Sequence, residues 1–260
     1  MALSDEFNRS AQAAAGLCKR LGKLSHAPEN PGLPDGEYQL GKAGCGRCNL
    51  GQGDPACLVF VDGWMWDSDA GNVGILGHRR DCLNPAMLKT GFGLDGGYCA
   101  MWSKDRSGTK IPPYDIIAFP PPGWMPIGFF GKDYKGNDYE KNNVWSITPN
   151  PQRCGLVKPE QIKVRVYPME TGTLRSGESL EVEALKWSPE PGLIPSLLFR
   201  PKGIKVAHRS RYWVEIDGLE ITGQKGPLRY LVEFVDPDKS IPGPDAPAEG
   251  ELLPLLPPGL

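Results

Sequence analysis

The first helix is predicted by apolar and small residues that recur at steps of three and four near the start of the chain. These residues are Phe7, Ala11, Ala14, Cys18, Leu21 and Leu24. Such spacing places them on one face of a helix. The segment Ser4-Asp5-Glu6 supplies a polar cap and acidic residues where the helix dipole favours them. Pro28 and Pro31 cannot continue the helix, so His26 is expected at its C-terminal end or just beyond it.

A second helix is predicted after a long segment without periodicity. Residues 27–53 contain glycine and proline throughout, which indicates a long loop. Asp54-Pro55 is typical of an N-cap followed by a proline in the first helical position. Residues 56–66 are apolar on nearly every side, which favours a helix that is buried on most of its circumference. A buried strand over part of this run is the alternative.

The middle of the chain predicts a hairpin and an extended segment. Residues 88–94 and 98–103 flank Asp95-Gly96-Gly97, which is typical of a β-hairpin turn. Residues 115–119 predict a further short strand. The proline-rich residues 120–126 that follow predict an extended ledge without regular structure.

The C-terminal part of the chain has the pattern of a β-domain. Its alternating runs are residues 162–167, 179–187, 203–207, 212–216 and 228–235. Turn residues separate these runs at spacings typical of a small all-β sandwich. We therefore expect three parts: residues 1–155, a β-rich domain at 156–237, and a proline-rich tail at 238–260 that is a linker or disordered.

Composition narrows the classes of partner. The 29 lysines and arginines nearly balance the 31 acidic residues, which argues against nucleic acid or an anionic membrane as the main partner. No apolar run approaches the roughly 20 residues of a membrane-spanning helix. No signal peptide is visible after Met1. The expected location is extracellular or periplasmic, as a mature form, and the alternative is cytosolic.

The cysteine pattern is the reason for expecting secretion. Seven cysteines lie in the first 154 residues, and no second CxxC accompanies Cys45-Gly46-Arg47-Cys48 to complete a four-thiolate zinc site. Disulfides in an oxidising compartment are therefore favoured. Their candidate members are Cys45, Cys48, Cys57, Cys82 and Cys99. Cys82 and Cys99 bracket the hairpin and could pair across it. Cys18 and Cys154 would then be candidate free thiols, or a bond that ties the domain boundary to the first helix.

A resemblance to a known family rests on several short motifs in order. They are Leu24-Ser25-His26, Asn49-Leu50-Gly51, Trp64-Met65-Trp66-Asp67, Gly77-His78-Arg79-Arg80, Cys82-Leu83-Asn84-Pro85, Thr90-Gly91-Phe92-Gly93 and Tyr98-Cys99-Ala100-Met101-Trp102. Over residues 4–150 this series resembles the CAP superfamily, which comprises cysteine-rich secretory, antigen-five and pathogenesis-related proteins and their bacterial relatives. The fold class that follows is α+β, with a CAP-like α-β-α sandwich and an appended all-β sandwich.

The resemblance also implies a cleft that holds two histidines and two acidic side chains. His26 matches the first histidine and His78 the second, while Asp67 falls where the family often has glutamate. The other glutamate usually precedes an asparagine, and here Cys48 occupies that position before Asn49. Glu29-Asn30 is a competing alignment that follows His26 by only three residues.

Two classes of function are compatible with these cleft residues. In a binding module, His26 and His78, with Asp67 and Cys48 as further donors, would hold Zn²⁺. The resemblance also implies small hydrophobic ligands such as a sterol or a fatty acid. The partner could also be an extracellular protein. In a hydrolase, His78 would act with Asp67 on water, or Cys48 would be the nucleophile, although a disulfide of Cys48 is favoured over this last role. Without any ligand, the histidines would only hold neighbouring backbone in place.

Three weaker hypotheses concern other residues. Arg79-Arg80 is predicted to be an exposed or ion-paired turn rather than an anion site. Trp124 is predicted to cover the core rather than to line a groove. The β-rich module and tail would serve cell-surface assembly if the protein were structural.

Overall fold

The computed structural model describes residues 1–53, 63–108, 114–130, 143–155, 157–169, 177–224 and 226–239. Its architecture is mixed α+β, and it divides into two compact units. The first unit comprises Met1–Pro113 with Glu190–Ile194, and the second comprises Tyr114–Pro189 with Pro195–Leu260. Within the described ranges, no helix has both the length and the apolar character needed to cross a membrane.

Two packed helices open the first unit. Helix α1 spans Asp5–Leu21, and the Ser4 side chain accepts a hydrogen bond from the backbone N–H of Phe7 at 3.4 Å. The helix ends at Gly22, whose φ of 67° lies in the left-handed region that glycine adopts without strain. Helix α2 spans Asp35–Cys45 and packs against α1. The sequence pattern predicted α1 correctly but gave a loop where α2 lies.

A three-stranded antiparallel sheet forms the centre of the first unit. Its strands are β2 (Cys48–Gln52), β4 (Phe92–Asp95) and β5 (Tyr98–Trp102), in the order β2-β5-β4. The pairing of β4 with β5 confirms the predicted hairpin. A separate parallel pair joins β1 (Ala2–Leu3) to β3 (Lys89–Thr90).

The two faces of this sheet pack against different parts of the chain. Because neighbouring strand residues point to opposite faces, Cys48 and Leu50 lie on one side of β2 and Asn49 on the other. Cys48 and Leu50 join the core formed with α1 and α2. The opposite face carries a smaller core of Trp64, Met87, Cys99 and Met101, against which Cys82 packs. Two short helices belong to this second layer, α3 (Trp64–Trp66) and α4 (Gly77–Cys82).

The second unit contains two four-stranded sheets. The strands are β6 (Ile116–Phe119), β7 (Gly123–Pro126), β8 (Trp145–Pro149), β9 (Lys163–Met169), β10 (Val182–Ser188), β11 (Ser196–Pro201), β12 (Arg211–Asp217) and β13 (Leu228–Val235). One sheet has the order β10-β11-β8-β6 and the other β7-β13-β12-β9. Side chains of both sheets meet in an aromatic core of Phe119, Phe130, Trp145, Phe199, Tyr212 and Phe234. Ring contacts of this kind add stability beyond the area they bury.

Several expectations for the second unit differ from the structure. The expected boundary near residue 155 lies inside this unit, because β6 and β8 pair with each other and β8 pairs with β11. The expected ledge contains strand β7, which pairs in parallel with β13, and Trp124 on it is 48% exposed. Residues 203–207 are not a strand. Most of the predicted second helix and of the tail falls outside the described residues.

Candidate functional site

The centre of the candidate site is a direct contact between Asp67 and His78. Asp67 follows α3 and His78 lies in the first turn of α4. The Nδ1 atom of His78 is 2.7 Å from Oδ1 of Asp67. The other carboxylate oxygen accepts from the backbone N–H groups of His78 at 2.8 Å and Arg79 at 3.2 Å. One carboxylate therefore holds both the ring and the backbone of His78.

The backbone on either side of the connecting loop is unusual. Asp67 has a φ of 52° and Leu76 a φ of 50°. Aspartate tolerates the left-handed region better than most residues, but leucine enters it at a cost on the order of 1 kcal/mol. Leu76 is fully buried, so packing offsets this cost. Both conformations help to turn the chain so that α4 begins against Asp67.

The contact determines which ring nitrogen of His78 is open. An ionised carboxylate only accepts hydrogen bonds, so Nδ1 carries the hydrogen and donates to Asp67. Within the described part of the chain, no hydrogen-bond partner is found for Nε2. The side chain of His78 is 22% exposed, whereas that of Asp67 is completely buried. Nε2 therefore carries a lone pair that can accept a hydrogen bond when the ring is neutral. When the ring is charged, Nε2 carries a hydrogen and is a donor.

The charge of His78 depends on two opposing influences. Burial, the largest one, lowers the pKa of His78 because it removes the charged ring from water. The hydrogen bond and the charge of Asp67 raise it, with help from Asp69 and Asp81, and the net pKa of His78 is above its ordinary value. Asp67 therefore favours a charged ring despite partial burial.

Asn49 connects this pair to the sheet. Its side-chain amide donates to the carbonyl oxygen of His78 at 3.2 Å and to the sulfur of Cys82 at 3.4 Å. Its own oxygen accepts from the Ser103 hydroxyl at 3.0 Å. Asn49 and Ser103 were not predicted as site residues. A polar residue in a strand otherwise filled by small and apolar residues was the available sign, but only a correct assignment of β2 would have revealed it.

The two arginines after His78 are buried, which contradicts the exposed alternative of the predicted turn. Arg79 is 0% exposed and Arg80 is 4% exposed. Arg79 donates to the carbonyl oxygens of Met65 and Trp66, the latter at 2.8 Å. Arg80 donates to the carbonyl oxygens of Ile75 at 3.0 Å and Ile194 at 2.6 Å. These guanidinium groups hold loops in place instead of facing a ligand.

Cys48 does not join the pair, although it was predicted as a cleft residue. Its side chain lies in the core with α1 and α2, on the sheet face opposite to Asn49. Burial raises the pKa of Cys48 to about 12, and the neighbouring Cys18 adds to this increase. A neutral, buried thiol on the wrong face is neither a nucleophile for His78 nor a ligand beside it.

His26 lies elsewhere on the same unit. Its side chain is exposed, and Nδ1 is 2.7 Å from the carbonyl oxygen of Cys45, which ends α2. Cys45 precedes β2 by three residues, and Asn49 on β2 contacts His78. Both histidines therefore border the beginning of β2, but among the described residues no contact joins His26 to Asp67 or His78.

These positions do not fit a complete zinc site. Within the described ranges, no group of three histidine, cysteine or acidic side chains is arranged to hold a metal ion. Asp67 has both oxygens engaged by N–H groups, and Cys48 lies on the other face. Zinc bound by protein usually takes at least three protein ligands, and the open ring nitrogens of His26 and His78 provide only two.

The cysteines also differ from the expected pairing. In the described part of the chain, Cys18, Cys45, Cys48, Cys82, Cys99 and Cys154 are present as thiols. The bond expected between Cys82 and Cys99 is not formed, and Cys57 lies outside the described residues.

Comparison with known proteins identifies no relative, since no family model, curated protein or solved structure matches the chain.

Proposed function

We propose that the first unit is a CAP-like binding module in which Nε2 of His78 contacts the ligand. The order of the motifs supports the family, and so does a small antiparallel sheet with helices packed on both faces, as in an α-β-α sandwich. The observation that carries the proposal is the Asp67–His78 contact. A completely buried carboxylate fixes one ring nitrogen, and no described residue takes the other, on a side chain that is 22% exposed.

The ligand that suits this site best is a small hydrophobic molecule with an anionic head group, such as a fatty acid. The raised pKa of His78 favours the charged ring, whose Nε2–H donates a strong hydrogen bond to a carboxylate. The indole of Trp64 lies beside the imidazole, with ring centroids 6.4 Å apart. Zn²⁺ is the alternative ligand, and it requires the neutral ring.

A binding experiment with matched histidine variants tests the proposal. A fluorescent long-chain fatty acid and Zn²⁺ would each be titrated into protein that carries no histidine tag. His78→Gln should weaken binding of the preferred ligand at least about tenfold, or roughly 1.4 kcal/mol. His208→Gln is the control, since His208 accepts a hydrogen bond from the backbone of Asp236 in the second unit. Absence of binding, or equal affinity in His78→Gln, would refute the proposal.

The pH dependence distinguishes the two ligands. Binding of an anionic head group should strengthen as the pH falls through the pKa of His78, because the ring gains its positive charge. Binding of Zn²⁺ should weaken over the same interval, because the proton competes for Nε2. The two slopes have opposite signs, so the titrations identify the ligand class even if both affinities are modest.

A hydrolase is the second candidate, and the same contact favours it. A histidine oriented by a buried aspartate is the arrangement of a general base. Because Cys48 is buried on the other face, the nucleophile would be water. Esterase and peptidase screens of the unmodified chain against His78→Gln decide this point: activity lost only in the variant supports an enzyme, and equal rates dismiss it.

A further inference from the structure

The core between α1 and α2 contains two cysteines whose sulfurs face each other. The Sγ atoms of Cys18 and Cys45 are 3.9 Å apart, and the side chains are 1% and 0% exposed. A disulfide bond has an S–S length of about 2.05 Å, so an approach of roughly 2 Å would allow the bond to form. No other pair of cysteines in the described residues makes a thiol–thiol contact.

The approach of the two helices makes this juxtaposition rigid. A Cβ atom added at Gly44 would lie 2.2 Å from the carbonyl oxygen of Ser10 and 3.0 Å from the Cβ of Ala14. One turn earlier on α2, a Cβ at Gly41 would lie 3.1 Å from the carbonyl oxygen of Ala13. The backbone of α2 therefore rests directly on α1, and Cys45 is held where its sulfur reaches Cys18.

We propose that Cys18 and Cys45 form a disulfide that joins α1 to α2 when the chain folds in the presence of a disulfide oxidant. The pairing differs from those expected from sequence, where Cys18 was a candidate free thiol or a partner of Cys154. It leaves Cys48 as a thiol, although Cys48 is separated from Cys45 by only two residues. The bond would link the two helices covalently, and it does not depend on the proposed ligand.

The reaction is a thiol–disulfide exchange in two steps. The thiolate of one of the two cysteines attacks one sulfur of the oxidant, which forms a mixed disulfide and releases one thiol of the oxidant. The other cysteine then loses its proton and attacks the protein sulfur of the mixed disulfide, which releases the second thiol. The two protein thiols together lose two electrons and two protons, and the oxidant disulfide gains them as two thiols.

In the folded unit, the contact between the two sulfurs makes Cys18 the more acidic thiol. The hydrogen bond with Cys45 lowers the pKa of Cys18 to about 7, against the opposing effect of burial, and the backbone of Ser25 adds to the lowering. The pKa of Cys45 is raised, first by that same hydrogen bond and then by burial. Since an external oxidant cannot reach two buried sulfurs, the exchange takes place before α1 and α2 are fully packed.

The bond would also restrain the backbone that holds His26. The carbonyl oxygen of Cys45 is 2.7 Å from Nδ1 of His26. A covalent link at Cys45 restricts the end of α2, and therefore the position of His26 at the beginning of β2. Reduction of the bond would loosen this end of the first unit before it affects the Asp67–His78 contact.

Peptide mapping of the whole chain tests the proposal directly. The reduced chain would be refolded with a mixture of reduced and oxidised glutathione, alkylated and digested without reduction. The expected product is a peptide pair that links residue 18 to residue 45, with a mass about 2 Da below that of the two thiol peptides. Absence of this linkage, or a linkage of Cys45 to another cysteine, would overturn the proposal.

Variants and thermal unfolding provide a second, independent measurement. Reduction should lower the unfolding midpoint of the first unit by about 10 °C, because the bond closes a loop of intermediate length. Cys18→Ser should remove both the linked peptide and the effect of reduction. Cys48→Ser, the neighbouring control in the same core, should retain both. A linked peptide that disappears in Cys48→Ser would contradict the assigned pairing, and the mapping of the unmodified chain stands even if a variant does not fold.

Discussion

The two faces of the sheet in the first unit are built from adjacent residues but have different chemistry. Cys48 and Leu50 project into a core of small and apolar side chains between α1 and α2. Asn49, between them, projects to the other side and donates to the carbonyl of His78. Because side chains alternate along a strand, β2 contributes both to the apolar core with α1 and α2 and to the polar site around His78. The comparison suggests that each face can be altered separately.

The two faces also differ in how burial is compensated. On the face covered by α1 and α2, the close approach of the two helix backbones provides van der Waals contact that needs no polar groups. On the other face, charged side chains are buried, and each requires hydrogen bonds that water would otherwise supply. Asp67 accepts three N–H groups, and Arg79 donates to two carbonyl oxygens. Removal of one partner therefore leaves other buried groups unsatisfied.

The largest effect is expected for Arg79→Ala on the polar face. The substitution removes the guanidinium that donates to the carbonyl oxygens of Met65 and Trp66, and with it a buried side chain, so it should destabilise the first unit by about 3–5 kcal/mol. Urea unfolding followed by the helical circular-dichroism signal measures this loss, since the described α-helices lie in the first unit. Arg9→Ala, at an exposed position of α1, is the control. A loss below about 1 kcal/mol would show that the buried guanidinium is not essential.

A smaller effect is expected on the opposite face for Gly44→Ala. The added methyl group would meet the carbonyl oxygen of Ser10 at 2.2 Å, so α2 must move away from α1, at a cost of about 2–3 kcal/mol. Gly36→Ala is the matched control on the same helix, because its Cβ would have no neighbour within 4 Å. The control should be neutral or slightly stabilising. Equal behaviour of the two variants in thermal unfolding would contradict the close packing of α1 and α2.

Local sequence patterns predicted some of the helices and strands of the first unit. Helix α1 has a continuous apolar face and a cap, and the β4–β5 hairpin has a recognisable turn, so both were predicted from sequence and confirmed. Helix α2 was missed because its buried positions include Gly41 and Gly44, and glycine lowers helix propensity and gives no apolar pattern. What stabilises α2 is contact with α1, which a local pattern does not contain.

The site was less accessible to sequence reasoning. The motif order led to Asp67 and His78, which the structure brings into contact. The position of Cys48 was misjudged, because the face of a strand residue depends on a register that one residue reverses. The domain boundary depended on pairing between distant segments, such as β7 with β13, and this pairing leaves no local trace. Long-range register was thus the missing information in both cases.

Asp67→Asn tests whether the buried carboxylate on the His78 side of the sheet controls the charge of His78. Asparagine tolerates the left-handed backbone of Asp67, so the substitution removes the charge without forcing a new conformation. Burial, which lowers the pKa of His78, is then no longer opposed by Asp67, and the pKa of His78 should fall. An NMR titration of the His78 imidazole resonances in the unmodified protein and in the variant measures the change.

The stability of the same variant has a defined pH dependence. In the unmodified protein the pKa of His78 is higher in the folded state than in the unfolded state. The stability it contributes is therefore fully present below the unfolded pKa, and it is lost as the pH rises through the folded pKa. In Asp67→Asn this dependence should weaken, with a loss of about 1–2 kcal/mol near neutral pH because one carboxylate acceptor is replaced by an amide donor. An unchanged slope would show that Asp67 does not control the charge of His78.

The smallest effect is expected for Lys19→Ala, which removes an ion pair from the outside of the same unit. Lys19 on α1 pairs with Asp95 at the end of β4, and the two side chains are 51% and 35% exposed. Water screens such a pair, so the loss should be at most about 0.5 kcal/mol and should vanish at high salt. Urea unfolding at low and high ionic strength measures both. The Asp67–His78 pair involves the same kinds of charge, but its carboxylate is completely buried, and its effect should persist at high salt. A loss for Lys19→Ala as large as that for Asp67→Asn would mean that burial is not what distinguishes the polar face.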